Sequence, residues 1–152
     1  MKRAGFTLIE LLIVMAIIAA LMAVLIPTAT GAMRKARATR IAVQLRNLEQ
    51  GLRQYILATL PSKDEVDDKD IDHWKSKLEN SGFVDENFLN DDGLTITTTA
   101  SDTQILITIE YNVGNSALAE LVVGSLKETY NATLTNDNKG VEIKSSLEAF
   151  WW

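Results

Sequence analysis

A single carboxylate, Glu10, stands near the start of the apolar run RAGFTLIELLIVMAIIAALMAVLIP, which covers residues 3–27. A charged side chain in hydrocarbon costs on the order of a few kcal/mol, less near the interface, and usually marks function. The other candidates for chemistry are weaker. His73 is the only histidine, in a polar segment expected to be an exposed helix. Asp68, Asp70 and Asp72 with Glu79 imitate the acidic spacing of an EF-hand loop, but the position that must be glycine is His73. Asn136, Asp137 and Asn138 form a second oxygen-rich turn, read by default as solvated. Neither set is assigned a metal, and no cofactor is expected. The chain has no cysteine, which removes disulfides, thiol nucleophiles and zinc fingers. No glycine-rich phosphate loop and no catalytic constellation is present, so the chain reads as a non-enzyme. The net charge of −5 argues against a general nucleic-acid binder.

Positioning Glu10 falls to a helix. Residues 6–26 contain one charge and no proline or glycine, and a helix of that length spans roughly 30 Å, the thickness of a bilayer's hydrocarbon core. Lys2 and Arg3 would make the basic start of a secretory signal, but ordinary signals have apolar regions of only about 7–15 residues and end in a small-x-small cleavage site. A plain single-pass anchor leaves Glu10 unexplained. Pro27 removes an amide donor and is expected to interrupt the helix by a kink or local unwinding, its lost partner lying near Ala23. Beyond it, residues 28–60 read as helix. Ile41, Leu45, Leu48, Leu52 and Tyr55 recur at spacings of four and three and form one apolar stripe. Arg46, Glu49, Arg53 and Gln54 are assigned to the opposite face, and Pro61 with Ser62 ends the helix. Arg34, Lys35, Arg37 and Arg40 form a basic collar that either faces solvent and headgroups or pairs with acidic residues of neighbouring copies.

The order of these features is more specific than any one of them. A short basic leader ends at Gly5, Phe6 follows, then TLIE, the apolar run and Pro27. The stretch GFTLIELLIV resembles the prepilin signal of type IV pilins and of the pseudopilins of type II secretion. That resemblance implies a leader of residues 1–5, cleavage between Gly5 and Phe6 by a membrane prepilin peptidase on the cytoplasmic side, and methylation of the new amine of Phe6 by the same enzyme. Glycine, with no side chain, is easily presented at such a cut. The apolar run is then retained as the polymerising half of a long helix, residues 6–27. Charge counting disagrees on orientation: the collar after the span is more basic than the leader before it, and the positive-inside rule favours a cytoplasmic head. The orientation therefore rests on the resemblance. So does an assembly role for Glu10. Cleavage creates a cation at Phe6, one turn away in a straight helix and also available from an incoming copy.

After Pro61 the composition turns polar and acidic. SKDEVDDKDID reads as a loop into a short helix with Ile71, Trp74 and Leu78 on one face, closed by Asn80, Ser81 and Gly82. FVDENFL reads as a helical turn. Alternating β-branched residues at 94–99 and 103–112 predict an antiparallel hairpin, and residues 130–135 and 141–146 a second one. Between them residues 116–129 read as a helix with Leu118, Leu121, Val122 and Leu126 inward. The expected fold class is α+β: one long helix whose second half, 28–60, packs on the small antiparallel sheet of a mixed head, 61–152. This matches the pilin fold, although no disulfide can close the tail Phe150, Trp151, Trp152, at least one of whose tryptophans is expected to cover apolar surface. The implied function is a pilin of a type IV pilus-like filament. The alternatives are a pseudopilin of a secretion or DNA-uptake machine and, from another class, a membrane-anchored binding module that never polymerises. The implied partners are other copies and minor pilins, the peptidase and methyltransferase, the cytoplasmic membrane, and an assembly platform with an ATPase motor, since nothing in the chain binds nucleotide. The precursor would sit in the inner membrane and the product in an extracellular or periplasmic filament.

Overall fold

The computed structural model describes residues 6–67, 69–79, 82, 84–149 and 151. A 52-residue helix, α1 (Leu8–Thr59), opens the chain. Three short helices follow, α2 (Lys63–Val66), α3 (Ile71–Glu79) and α4 (Glu86–Leu89), then strands β1 (Leu94–Ala100) and β2 (Gln104–Asn112), helix α5 (Ser116–Leu126), and strands β3 (Asn131–Leu134) and β4 (Gly140–Glu148). The sheet order is β1-β2-β4-β3, antiparallel throughout. This is an α+β, pilin-like architecture. Contacts divide the chain into two compact units, Met1–Ala36 and Arg37–Trp152.

In the first unit α1 continues through Pro27 without a break in its helical assignment, so the local unwinding expected there does not occur. The hydroxyl of Thr28 donates to the carbonyls of Val24 at 3.2 Å and Leu25 at 2.8 Å, and that of Thr30 donates to Pro27 O at 3.0 Å. These hydroxyls bond carbonyls other than that of Ala23, the one from which the ring withholds an amide.

In the second unit α1 lies on the sheet. Leu45, Leu48, Leu52 and Ile56 are fully buried, each worth about 1.5–3 kcal/mol of transfer free energy. Ala38 and Ala42 continue the buried row, while Ile41 and Tyr55 pack along its edge. The apolar face is therefore centred one position away from the stripe drawn from large residues alone. Ala38 and Ala42 belong to it although they are small.

Glu49 corrects the assignment of charged residues to the far face: it is 2% exposed. Arg53 binds its Oε1 through Nε at 3.1 Å and Nη2 at 2.9 Å, and Tyr130 donates its hydroxyl to Oε2 at 3.3 Å. Arg53 Nη2 also reaches Ser146 O at 3.3 Å. Burial, then the Glu49 carboxylate, push the Tyr130 phenol above its usual range. A buried carboxylate is tolerable only with this kind of saturation.

The inner face of the sheet alternates as expected, with Leu94, Ile96, Ile105, Ile107, Ile109, Val141, Ile143 and Leu147 inward. Thr98 is fully buried among them. It accepts from Trp74 Nε1 at 3.1 Å and donates to Val66 O at 2.7 Å, fastening α2 and α3 to β1. In α5 the inward residues are Ala119, Val122 and Leu126; Leu121, expected inward, is 41% exposed. Gly140 opens β4 where a Cβ would meet Thr135 Oγ1 at 2.8 Å and Tyr111 O at 2.9 Å, too close for any side chain. At the carboxy terminus Trp151 packs on the core and donates Nε1 to Ser101 O at 2.9 Å, with Lys63 Nζ 5.9 Å from its ring centre. Phe150 and Trp152 lie outside the described residues.

A chain starting at residue 28 should fold by itself as a soluble monomer. In it, Leu52→Ala should cost about 3 kcal/mol, whereas Leu57→Ala, at a position 48% exposed, should change stability by no more than about 0.5 kcal/mol. Urea unfolding followed by circular dichroism checks both. Equal losses at the two sites would contradict the observed face of α1.

Candidate functional site

The sequence directs attention to the start of α1. Every described residue from 6 to 37 is exposed in this chain, including the large apolar side chains of Phe6 (78%), Leu8 (82%) and Leu21 (66%). Among the described residues α1 is the one helix long and apolar enough to cross a membrane. Such a surface is stable in water only when something covers it.

Thr7 is the residue just before the helix, and Glu10 is its third position. The two side chains close on each other. Thr7 N donates to Glu10 Oε2 at 2.9 Å, Thr7 Oγ1 donates to the same oxygen at 2.6 Å, and Glu10 N donates to Thr7 Oγ1 at 3.4 Å. This is a reciprocal capping box, which satisfies two amides that the helix start leaves without partners. A carboxylate is also favoured there by the positive end of the helix dipole. The signal T-x-x-E before an apolar run was present in the sequence, and it names Thr7, which the reading of Glu10 as a lone carboxylate passed over.

The cap fixes one oxygen of Glu10. Among the described residues the other, Oε1, accepts no hydrogen bond. Glu10 is thus held against the helix start with an acceptor to spare, and a cation near Phe6 is the group such an acceptor suits. Phe6 is the first described residue of this site; Gly5 lies outside the described residues.

Farther along α1, Arg34, Lys35, Arg37 and Arg40 are all exposed. The acidic sets of the head are engaged in local structure. Asp70 Oδ1 accepts the amide of His73 at 3.3 Å at the start of α3, and Asp137 Oδ1 accepts from Thr135 Oγ1 at 2.6 Å and Lys139 N at 3.0 Å. Those bonds hold the Asp137 carboxyl below its usual range. Asp68 lies outside the described residues, and among the described ones no group of three His, Asp or Glu side chains is arranged to hold a metal. His73 is partly buried rather than exposed, edge-on to Trp74 with ring centres 5.1 Å apart. Burial, with Lys77 and Lys69, lowers its pKa.

Residues 1–26 match the family model described as the prokaryotic N-terminal methylation motif. That motif is the leader signature of type IV pilins and pseudopilins, a structural rather than enzymatic class. It marks a precursor that is processed by a prepilin peptidase and assembled into pilus-type filaments. No curated protein and no solved structure matches the chain.

The capping box separates two roles of Glu10, because glutamine serves at the third helical position as well as glutamate does. In the full-length subunit in detergent micelles, Thr7→Val should speed amide exchange in the first turn of α1 about fivefold, for a cap worth about 1 kcal/mol. Glu10→Gln should leave those rates near wild type. Equal acceleration by both would make capping depend on charge.

Proposed function

We propose that this chain is made as a prepilin in the cytoplasmic membrane, cut between Gly5 and Phe6, methylated on the Phe6 amine, and polymerised as the structural subunit of a type IV pilus-like filament. The observation that carries the proposal is an exposed apolar helix start, holding one capped carboxylate, directly behind a matched methylation motif. Residues 1–5 act as the leader, 6–27 as the polymerising half of α1, 28–60 as its amphipathic half and 61–152 as the head. In the membrane, lipid covers the apolar half; in the filament, the same half of other copies does so. An assembly platform with an ATPase motor supplies the work of extraction, and minor pilins join the same polymer. Pro27 is where α1 can bend, since one backbone hydrogen bond is missing there.

Glu10 directs this assembly. Buried among apolar helices its charge needs a partner. The methylated Phe6 amine remains cationic, and an incoming copy can present it to the Oε1 of a Glu10 already in place. Such a contact neutralises both groups and sets the axial register. It also requires cleavage first, because the precursor has no charge at Phe6. The motif is common to pilins and pseudopilins, so a secretion or DNA-uptake pseudopilus is the second reading, and imaging of surface filaments on cells with and without the gene separates the two. A membrane-anchored module that never polymerises would need neither a processed Phe6 nor Glu10.

Mass spectrometry of the assembled subunit should give a chain that begins at methylated Phe6. A Met1 start, or a cut beyond the apolar run, would remove the basis of the proposal.

Glu10→Gln keeps the cap and removes the charge. Insertion, processing and the folded head should be normal, with few or no filaments by electron microscopy. A wild-type filament yield would show that the charge does not direct assembly.

A further inference from the structure

Four cations, Arg34, Lys35, Arg37 and Arg40, fall within seven residues of α1, and all are exposed. Nothing along this part of the helix balances them, because residues 11–48 contain no Asp or Glu. Among the described residues the guanidinium groups of Arg34, Arg37 and Arg40 make no ion pair. Basic residues beside a membrane span favour the cytoplasmic side. With the head outside, an anionic partner on that side would oppose the bias.

Helix geometry gives each cation a height. When residues 6–26 span the hydrocarbon, its outer edge lies near Ile26. Counted along α1, Arg34 and Lys35, which belong to the first unit, follow Ile26 by about 12 and about 14 Å. The headgroup layer takes up roughly 5–8 Å of that distance. Side chains on a helix tilt toward its amino terminus, which here is the membrane side, and long basic chains carry their charge into the polar layer. Arg34 and Lys35 are thereby within reach of the headgroups. Lipid surrounds a spanning helix, so the two need not share a face. Residues 27–33 carry no charge, and the hydroxyls of Thr28 and Thr30 are already bonded to backbone carbonyls. No other polar side chain of this stretch competes for a headgroup. Arg40 follows Ile26 by about 21 Å, beyond the headgroup layer by more than the Debye length of about 8 Å at physiological salt.

We propose that Arg34 and Lys35 bind anionic phospholipid headgroups in the outer leaflet of the cytoplasmic membrane while the subunit waits in the bilayer. The inference rests on the membrane-precursor reading and names the lipid class that holds the subunit there. Charge selects the occupant. A zwitterionic headgroup balances its own phosphate, whereas phosphatidylglycerol presents an unbalanced one, and each Lys or Arg near an anionic surface strengthens the attraction about fivefold. Holding Arg34 at the outer headgroups also fixes the depth of Phe6 and Glu10 at the other end of the span. The contact is released when the subunit leaves the bilayer for the filament.

The test uses the full processed subunit, which lacks the cations of the leader, reconstituted in phosphatidylcholine bilayers. Electron spin resonance of trace spin-labelled lipids measures how far phosphatidylglycerol is preferred over phosphatidylcholine at the protein surface. Incorporation and helix content by circular dichroism are the controls. Wild type should prefer phosphatidylglycerol at least about fivefold at low salt. Arg34→Gln with Lys35→Gln should bring the preference below about twofold, as should about 1 M salt, where the Debye length is about 3 Å. Arg34→Lys keeps the charge and should stay within about twofold of wild type. Arg40→Gln, at the greater height, should stay within about 1.5-fold. A wild type without preference, or a double variant that retains it, would overturn the site. So would an equal loss from Arg40→Gln, which would make height irrelevant. Retained preference in the double variant together with lost filaments would assign these cations to acidic residues of neighbouring copies. The membrane-precursor reading fails differently: its signature is a mature chain cut beyond the apolar run, which does not enter the bilayer at all.

Discussion

An apolar surface on a helix start must be covered, and in this protein the chain does not cover it itself. From residue 6 to 37 every described side chain is exposed, while the same helix from Ala38 onward supplies the spine of a well-packed head. One helix therefore meets two solvents. Its first part suits lipid or other copies of itself, and its second part is a core element like any other. The need for outside cover makes a polymer a sensible product of such a chain, since a filament hides in one structure what a membrane hides in another.

Glu10 is the residue most affected by that constraint. In the isolated chain it looks ordinary, a capping carboxylate with Thr7 as its reciprocal partner. Its cost arises only when the surroundings become apolar, and then the cap contributes by holding the carboxylate at the helix start. The cap engages Oε2, so it does not occupy Oε1, the oxygen the proposed assembly contact would use. The head shows the same economy at Glu49, where a buried carboxylate is held by Arg53 and by Tyr130, the residue before β3, while Arg53 reaches Ser146 O in β4.

The acidic residues of the head cap helices, hold turns, or stand on the outer sheet face, and His73 is edge-on to Trp74 rather than beside a nucleophile. A small domain of this kind offers its neighbours a patterned surface.

The sequence by itself determined the elements whose signals are local. The apolar run, the leader motif and the alternation in β1, β2 and β4 all depend on residues close in the chain, and both hairpins emerge where the turns predict them. The T-x-x-E cap was equally legible. Tertiary structure decided what depends on residues far apart. Whether Glu49 faces water or core depends on Arg53 being joined by Tyr130 and Ser146, some eighty to ninety positions later. Thr98 can be buried only because Trp74 and Val66 supply its hydrogen bonds. Leu121 points outward because the face of α5 that packs on the core is the one carrying Ala119, Val122 and Leu126. The pairing of Glu110 with Glu142 is a matter of register between strands joined through α5 and β3. Periodicity tells which side chains share a face, but the partner that arrives on that face fixes its centre and decides which polar groups survive there.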